Sequence, residues 1–351
     1  MTNDPSQGYV CVIVGATGAV GSVLLKVLAE RDFPIAELRP LASQRSVGST
    51  VRFGGKNVEV ALTEPEQFDG ADLVFFAATG SLSLELAPEA AKRGAVAIDK
   101  SSTWRMNDGV PLVVPEINED ALDEHRGIVS CPNCTTIPLA MALEALRRRA
   151  GLRSAVVTTM QAVSGAGTPG LEELEEQQLA HHSGVAAPRP STFAAAIHNN
   201  VIPLCETLQD DGYSSEETKL LDETRKILRQ PELEMTMTCV RVPVPIGHSA
   251  SVLVETETAL SPEEAIHELS SFPGIVVCPD SDLPTPAGAA GGAVVLVGRV
   301  RSDQHSDRLW LWQASDNLRK GAATNAVQIA SALAGRGLLG RHRDAKMAFQ
   351  S

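Results

Sequence analysis

Two cysteines three positions apart, Cys131 and Cys134 in "SCPNCTT" (130–136), are the first residues of this chain whose spacing could do chemistry. They could be a redox pair, half of a metal site, or one nucleophile with a neighbour. A redox pair wants a thioredoxin-like unit, and this motif follows the fifth strand of a different kind of fold. A structural zinc site needs four ligands; no second C-x-x-C and no paired histidine spacing is present, so no metal is expected. If a helix begins at the two threonines, Cys134 stands at its N-terminus, where the helix dipole favours a thiolate. Cys131 would still lie in the preceding strand or turn and gain less. Two inert buried thiols are the plainer alternative.

Residues further along the chain weigh toward the nucleophile. "MQAVSGAGTPG" supplies Gln161 and a glycine-rich bend, and "RVPVPIGHS" supplies Arg241 and His248. A cysteine, an isolated histidine and a nicotinamide dinucleotide suit oxidation of an aldehyde through a thioester. The thiolate adds to the carbonyl, hydride leaves to the cofactor, and an acceptor resolves the acyl-enzyme. His248 is the acid–base candidate; a histidine after glycine in a turn can equally be structural.

The dinucleotide signal is "GATGAVG", with Gly15, Gly18 and Gly21 spaced G-x-x-G-x-x-G and Thr17, Ala19 and Val20 between them. It lies between an apolar run, "YVCVIVG", and a helical pattern, "AVGSVLLKVLAERD". That context asks for a tight turn, backbone close to a pyrophosphate, and N–H groups aimed at the anion. A ribose-binding acid belongs at the end of the second strand, about 20 residues on. Glu37 has that spacing but falls at the start of the strand. At its far end "ASQRSVGS" puts Arg45 and Ser46 where an adenosine 2′-phosphate would sit, and a guanidinium can fork two hydrogen bonds onto phosphate. NADP is therefore the expected cofactor, with a solvated loop charge as the other reading of Arg45.

The elements that must hold these residues follow from periodicity. The run at 9–15 is apolar and β-branched throughout, as in a strand buried on both faces of a parallel sheet. Similar runs recur at 36–43, 73–79, 95–101 and 127–133, with "LSLELAPEAAKRG" a helix ending at Gly94. This alternation predicts a Rossmann-type, doubly wound parallel sheet in an α/β protein, carried by residues 1–133. The pattern then changes. Residues 152–165 are β-rich, 235–257 read as two strands meeting at a turn near Gly247, and "AVVLVGRVRS" and "DRLWLWQAS" read as an antiparallel pair. Helical stretches, "GLEELEEQQLAHH" and "SEETKLLDETRKILRQ", lie between. Residues 134–316 are thus expected to form a second, α+β catalytic and dimerisation domain, with a C-terminal helix at about 317–351 returning to the first.

At 351 residues, two domains are the natural partition. A formal net charge of −13 would repel a polyanion, so no nucleic-acid partner is expected. The first fifteen residues carry no basic, apolar leader pattern, and no window reaches the roughly 18–20 apolar residues of a membrane helix. Six scattered cysteines suggest free thiols in a reducing compartment, and a cytoplasmic location is expected.

These motifs also carry a resemblance. "GATGAVG", "CPNCTT", "QAVSGAG", "EETK", "RVPVPIGHS" and "DNLRKGAATNAVQIA" occur in the order and spacing of the aspartate-β-semialdehyde dehydrogenases, over almost the whole chain. The resemblance implies reversible, NADPH-dependent reductive dephosphorylation of L-aspartyl-4-phosphate to L-aspartate 4-semialdehyde and phosphate. That step serves lysine, threonine, methionine and diaminopimelate biosynthesis, and the family implies a homodimer. Cys134 is then the nucleophile, Gln161 orients the substrate or intermediate, and His248 is the acid–base. Arg241 would pair with the α-carboxylate and Glu216 with the α-ammonium. Lys219, Arg105 and Asn133 would bind phosphate, and Ser164, Gly165 and Asn317 would stand near the nicotinamide. From spacing alone, Glu216 and Lys219 are equally an i,i+3 pair on a solvated helix face. Lys100 stands where many relatives have Asn. The alternatives are another acyl-phosphate reductase, such as an N-acetyl-γ-glutamyl-phosphate reductase, or a non-catalytic nucleotide-binding homologue. The former carries a Gly-Cys-Tyr-Pro-Thr type motif that "PNCTT" lacks.

Overall fold

A computed structural model describes residues 8–339; residues 340–351, the last part of the expected C-terminal helix, lie outside them. The chain forms two compact units. One runs to Pro132 and resumes at Ala322, and the other is Asn133–Gly321.

The first unit is built on β1 (Tyr9–Val14), β2 (Ile35–Ala42), a small hairpin of β3 (Thr50–Phe53) and β4 (Lys56–Glu59), β5 (Ala61–Leu62), β6 (Leu73–Phe76), β7 (Val96–Asp99) and β8 (Ile128–Ser130). Apart from the hairpin, the strands form one parallel sheet in the order β5-β2-β1-β6-β7-β8. Strand alternation explains the unbroken apolar runs. Cys11 and Ile13 face one core with Leu24 and Leu28 of α1 (Ala19–Glu30). Val12 and Val14 face another with Leu86 and Ala90 of α2 (Gly80–Lys92). Each of the valines, leucines and the isoleucine among them, fully buried, contributes roughly 1.5–3 kcal/mol. The chain leaves β1 for β2 on one side and reaches β6 on the other. The carboxyl end of β1 is therefore a topological switch point, where doubly wound sheets open a ligand crevice. A short helix, α3 (Pro115–Asn118), precedes β8.

The second unit opens with α4 (Thr136–Ala150), then β9 (Ser154–Gln161), α5 (Thr168–Ser183), α6 (Ser215–Leu228), β10 (Glu234–Arg241) and β11 (His248–Glu255). It continues through α7 (Pro262–Ser271), β12 (Ile275–Val277), α8 (Pro286–Ala289), β13 (Val295–Ser302) and β14 (Leu309–Ser315). The strands make a mixed sheet in the order β10-β9-β11-β14-β13-β12, with β13 and β14 antiparallel as the sequence suggested. The two strands expected around Gly247 are present as β10 and β11. The stretches on either side of Gly247 do not pair with each other, because β9 lies between them, parallel to β10 and antiparallel to β11. Periodicity locates the two strands, but strand partners are chosen by the whole sheet rather than by the nearest turn.

That arrangement sets up the site. In β9 the odd-numbered residues, ending at Gln161, point to the buried face, and in β10 Met237, Cys239 and Arg241 do the same. Because β10 is parallel to β9, Arg241 stands beside Gln161. Because β11 runs the other way, its first residue, His248, arrives at that same end of the sheet. Period-2 alternation thus brings an amide, a guanidinium and an imidazole together. The opposite face carries Val156, Thr158, Thr236 and Thr238, all exposed.

The chain closes with α9 (Thr324–Gly335), whose Val327, Ile329, Ala330 and Leu333 pack into the same core of the first unit as Ile13 and Phe75. Among the described residues, no helix is long and apolar enough to cross a membrane.

Candidate active site

In the second unit, Cys134 sits at the start of α4. The Asn133 carbonyl accepts from the Ile137 N–H at 3.1 Å and the Asn133 side chain accepts from the Thr135 N–H at 2.7 Å. The first helical turn therefore closes around Cys134, at the positive end of a 15-residue helix. Its Sγ lies 3.4 Å from Nε2 of His248. Gly321 presses on the other side: a Cβ there would stand 2.9 Å from Cys134 Cβ and 2.8 Å from its carbonyl oxygen. Only a residue without a side chain lets the two backbones approach this closely. Cys131, by contrast, is fully buried in the first unit, and burial pushes its thiol up, away from ionisation.

His248 is buried, and its Nδ1 accepts the backbone N–H of Ala162 at 2.9 Å. A neutral ring with an accepting Nδ1 carries its proton on Nε2, so the bond to sulfur is Nε2–H donating toward Sγ. Burial, aided by the positive charge of Arg241, holds the ring well below the usual histidine range. Both effects keep it neutral.

Arg241 is also buried. Its Nη1 donates to the Ala162 carbonyl at 2.8 Å, its guanidinium lies 5.6 Å from the Phe193 ring centre, and its Nε has no partner. A buried guanidinium with an unpaired donor is costly until an anion reaches it. A Cβ on Gly165 would stand 2.7 Å from Arg241 Nη1 and 3.3 Å from His248 Nε2, so a residue with a side chain would close the space between them. Ser164 and Asn317 exchange hydrogen bonds, Nδ2 of Asn317 donating to Ser164 Oγ at 3.0 Å. Asn317 Oδ1 also accepts from the Gly247 N–H at 2.9 Å, fixing the residue before His248.

Glu216 and Lys219 are not a solvated pair. A capping box between Ser214 and Glu217 starts α6 and turns Glu216 inward, where it is buried. Its carboxylate accepts from Asn133 Nδ2 at 2.9 Å and Gln161 Nε2 at 3.0 Å, with Lys219 Nζ at 3.9 Å. Burial, with the charge of Glu206, raises its carboxyl above the usual range. Thr159 Oγ donates to Gln161 Oε1 at 3.0 Å, and Glu223 accepts the Asn133 N–H at 2.6 Å. Lys219 pairs with Glu206. Gly321 and Glu223 lie inside stretches quoted above, but their contacts, like those of Glu206, are not given by the sequence. A capping-box pattern points to an inward face on α6, but nothing local marks Glu206 or shows what Gly321 touches.

Arg105, in the first unit, is buried and donates from Nε to the Cys131 carbonyl at 3.0 Å and from Nη2 to that of Lys100 at 2.8 Å. Lys100 Nζ donates to the Pro132 carbonyl at 3.2 Å. The first unit also holds the glycine turn. Gly15 has φ +82°, and a Cβ on Gly21 would meet the Gly15 carbonyl oxygen at 2.1 Å, so the turn closes tightly under the N-terminus of α1. That terminus has no side-chain cap and no acid in its first turn, which leaves its N–H groups for an anion. Gly18, Ala19 and Val20 are half-buried there. Thr17 Oγ1 donates to Ser46 Oγ at 3.3 Å, so the loop after β2 reaches the turn, with Arg45 exposed on it. Glu37 pairs with Arg39 and lies opposite Val10, four residues short of the end of β1. The turn fits a dinucleotide, and the loop that reaches it carries an arginine.

The sequence model of the semialdehyde dehydrogenase dimerisation domain matches residues 143–320, and that of the semialdehyde dehydrogenase NAD binding domain matches residues 11–125. Aspartate-semialdehyde dehydrogenase of Aquifex aeolicus is 47% identical over 340 residues, covering 95% of this chain and 100% of the relative. That of Bacillus subtilis is 43% identical over 338 residues, covering 93% and 98%. Among solved structures, aspartate semialdehyde dehydrogenase II from Vibrio cholerae, complexed with ASA, superposes with a TM-score of 0.91 at 44% identity, covering 93% of this chain and 98% of that one.

Two outcomes follow from the geometry. Gly321→Ala displaces Cys134 and lowers kcat about 100-fold, since small misplacements of a reacting atom are that costly; steady-state rates check this, and an unchanged kcat would contradict it. Because His248 stays neutral below the ordinary value of about 6.5, kcat/KM is expected to show no loss near that pH. Folding is linked in the same sense. The unfolded chain binds this proton near 6.5 and the native one does not, so the contribution to stability is complete above that pH and declines as pH falls below it.

Proposed function

We infer the function of this chain from one premise, that it belongs to the semialdehyde dehydrogenase family. The reaction is that of an aspartate-semialdehyde dehydrogenase: reversible, NADPH-dependent reductive dephosphorylation of L-aspartyl-4-phosphate to L-aspartate 4-semialdehyde and phosphate. It belongs to the biosynthesis of lysine, threonine, methionine and diaminopimelate. The observation that carries the mechanism is the 3.4 Å approach of Cys134 Sγ to His248 Nε2.

In the reducing direction Cys134 attacks the acyl carbon and phosphate leaves, giving a thioester on the enzyme. NADPH, when bound, would supply the hydride that reduces the thioester carbon. The resulting hemithioacetal then re-forms its carbonyl as the C–S bond breaks, releasing the aldehyde and returning the Cys134 thiolate. His248 offers its Nε2–H first to the sulfur, then to the oxygen that gains negative charge as the carbonyl is attacked. A neutral imidazole acting as a fixed donor suits this task. The acid side of the expected acid–base role is thus the one its tautomer supports. Gln161 and Asn133, both tied to Glu216, order the surroundings of the nucleophile. Arg241 takes the α-carboxylate; its unpaired, buried Nε supports this. Glu216 is the motif's acid for the ammonium. By the motif match, Lys219, Arg105 and Asn133 are each assigned to phosphate.

The cofactor would be held by the 15–21 turn on the N–H groups of α1. Arg45 and Ser46 would receive the 2′-phosphate, which favours NADP over NAD. Ser164, Gly165 and Asn317 belong to the nicotinamide end. A homodimer is what the family implies, and the exposed face of the second sheet, with Val156, Thr158, Thr236 and Thr238, offers it a surface. Six free cysteines fit a reducing, cytoplasmic setting.

The test is NADP reduction with aspartate semialdehyde and phosphate. Cys134→Ser abolishes turnover while NADP still binds, and Cys131→Ser stays active; the reverse pattern would move the nucleophile to Cys131.

A further inference from the structure

Beside Arg241 lies a cavity of about 170 Å³, walled by Gly165, Ala166, Phe193, Leu204, Glu206 and Arg241 among others. Its two charged walls have opposite sign. A zwitterionic α-amino-acid head group needs that combination in one space, a cation for its carboxylate and an anion for its ammonium. Glu216 is not among the walls, and its carboxylate already holds the side-chain amides of Asn133 and Gln161.

Glu206 is held in place. Its backbone is left-handed, φ +63°, a conformation uncommon outside glycine. Ser215 Oγ donates to its carboxylate at 3.0 Å, and Lys219 forms an ion pair with it. Lys219 also stands 3.9 Å from Glu216, so two carboxylates share one lysine. Resting on the reading above, in which Lys219 serves phosphate, the charges can be followed through binding. Once phosphate draws on Lys219, the substrate's ammonium brings a second cation to the two acids that this lysine serves.

We propose that Glu206 is a second substrate-binding carboxylate, acting beside Glu216 on the α-ammonium and setting the preference for amino-acid substrates. The preference is measured as the ratio of kcat/KM for L-aspartate 4-semialdehyde to that for succinate semialdehyde, which lacks the amine, with NADP and phosphate. Glu206→Gln keeps the shape and removes the charge, and the ratio is expected to fall tenfold or more. Glu206→Asp, which restores a carboxylate, recovers part of it. A ratio unchanged in Glu206→Gln would overturn the proposal, including the case where both substrates lose rate alike, because that pattern belongs to a merely structural role. If the native protein itself failed to turn over aspartate semialdehyde, the substrate reading would fall first and this proposal with it. A native protein that works, with a variant that discriminates as well as it does, sinks the proposal alone.

Discussion

Everything chemical in this molecule depends on one contact, a cysteine sulfur held against the N–H side of a neutral imidazole. Three pieces of chain must agree to make it. The first turn of α4 presents Cys134, the start of β11 presents His248, and the bend after β9 supplies the Ala162 N–H that fixes the ring. Each is backbone geometry, so the contact does not rely on flexible side chains finding each other. Gly321 supports it from behind by leaving room for the backbone of Cys134.

The surrounding charges follow from burial. A guanidinium, an imidazole and a carboxylate are each nearly removed from water. Isolated, each would cost several kcal/mol, and the protein meets that cost unevenly. Glu216 is satisfied by two amides, and His248 remains uncharged. Arg241 keeps a donor unpaired. Of these three, the group with an unpaired donor is the one assigned to the substrate's carboxylate, as expected where binding energy is to come from the ligand.

Much of this was legible in the sequence, for physical reasons. The apolar run at 9–15 and the glycines after it define a buried strand and a tight turn by local sterics alone. The motif residues Cys134, Gln161, Arg241 and His248 sit near strand or helix ends, which periodicity can locate. What stayed hidden was non-local. That β9 separates β10 from β11 is a decision of the whole sheet, and the two strands around Gly247 gave no local sign of it. Glu206 lies in an irregular segment, and Gly321 matters only through what it touches. The helix α7 carries a local start signal of its own, the Ser261 and Glu264 capping box.

The most direct measurement is to trap the covalent intermediate. The protein is mixed with aspartate semialdehyde and NADP without phosphate, quenched in acid and digested, and the peptide spanning both cysteines is fragmented in a mass spectrometer. The aspartyl mass is expected on the sulfur of Cys134. Finding it on Cys131, or finding reduced cofactor with no modified cysteine, would contradict the account.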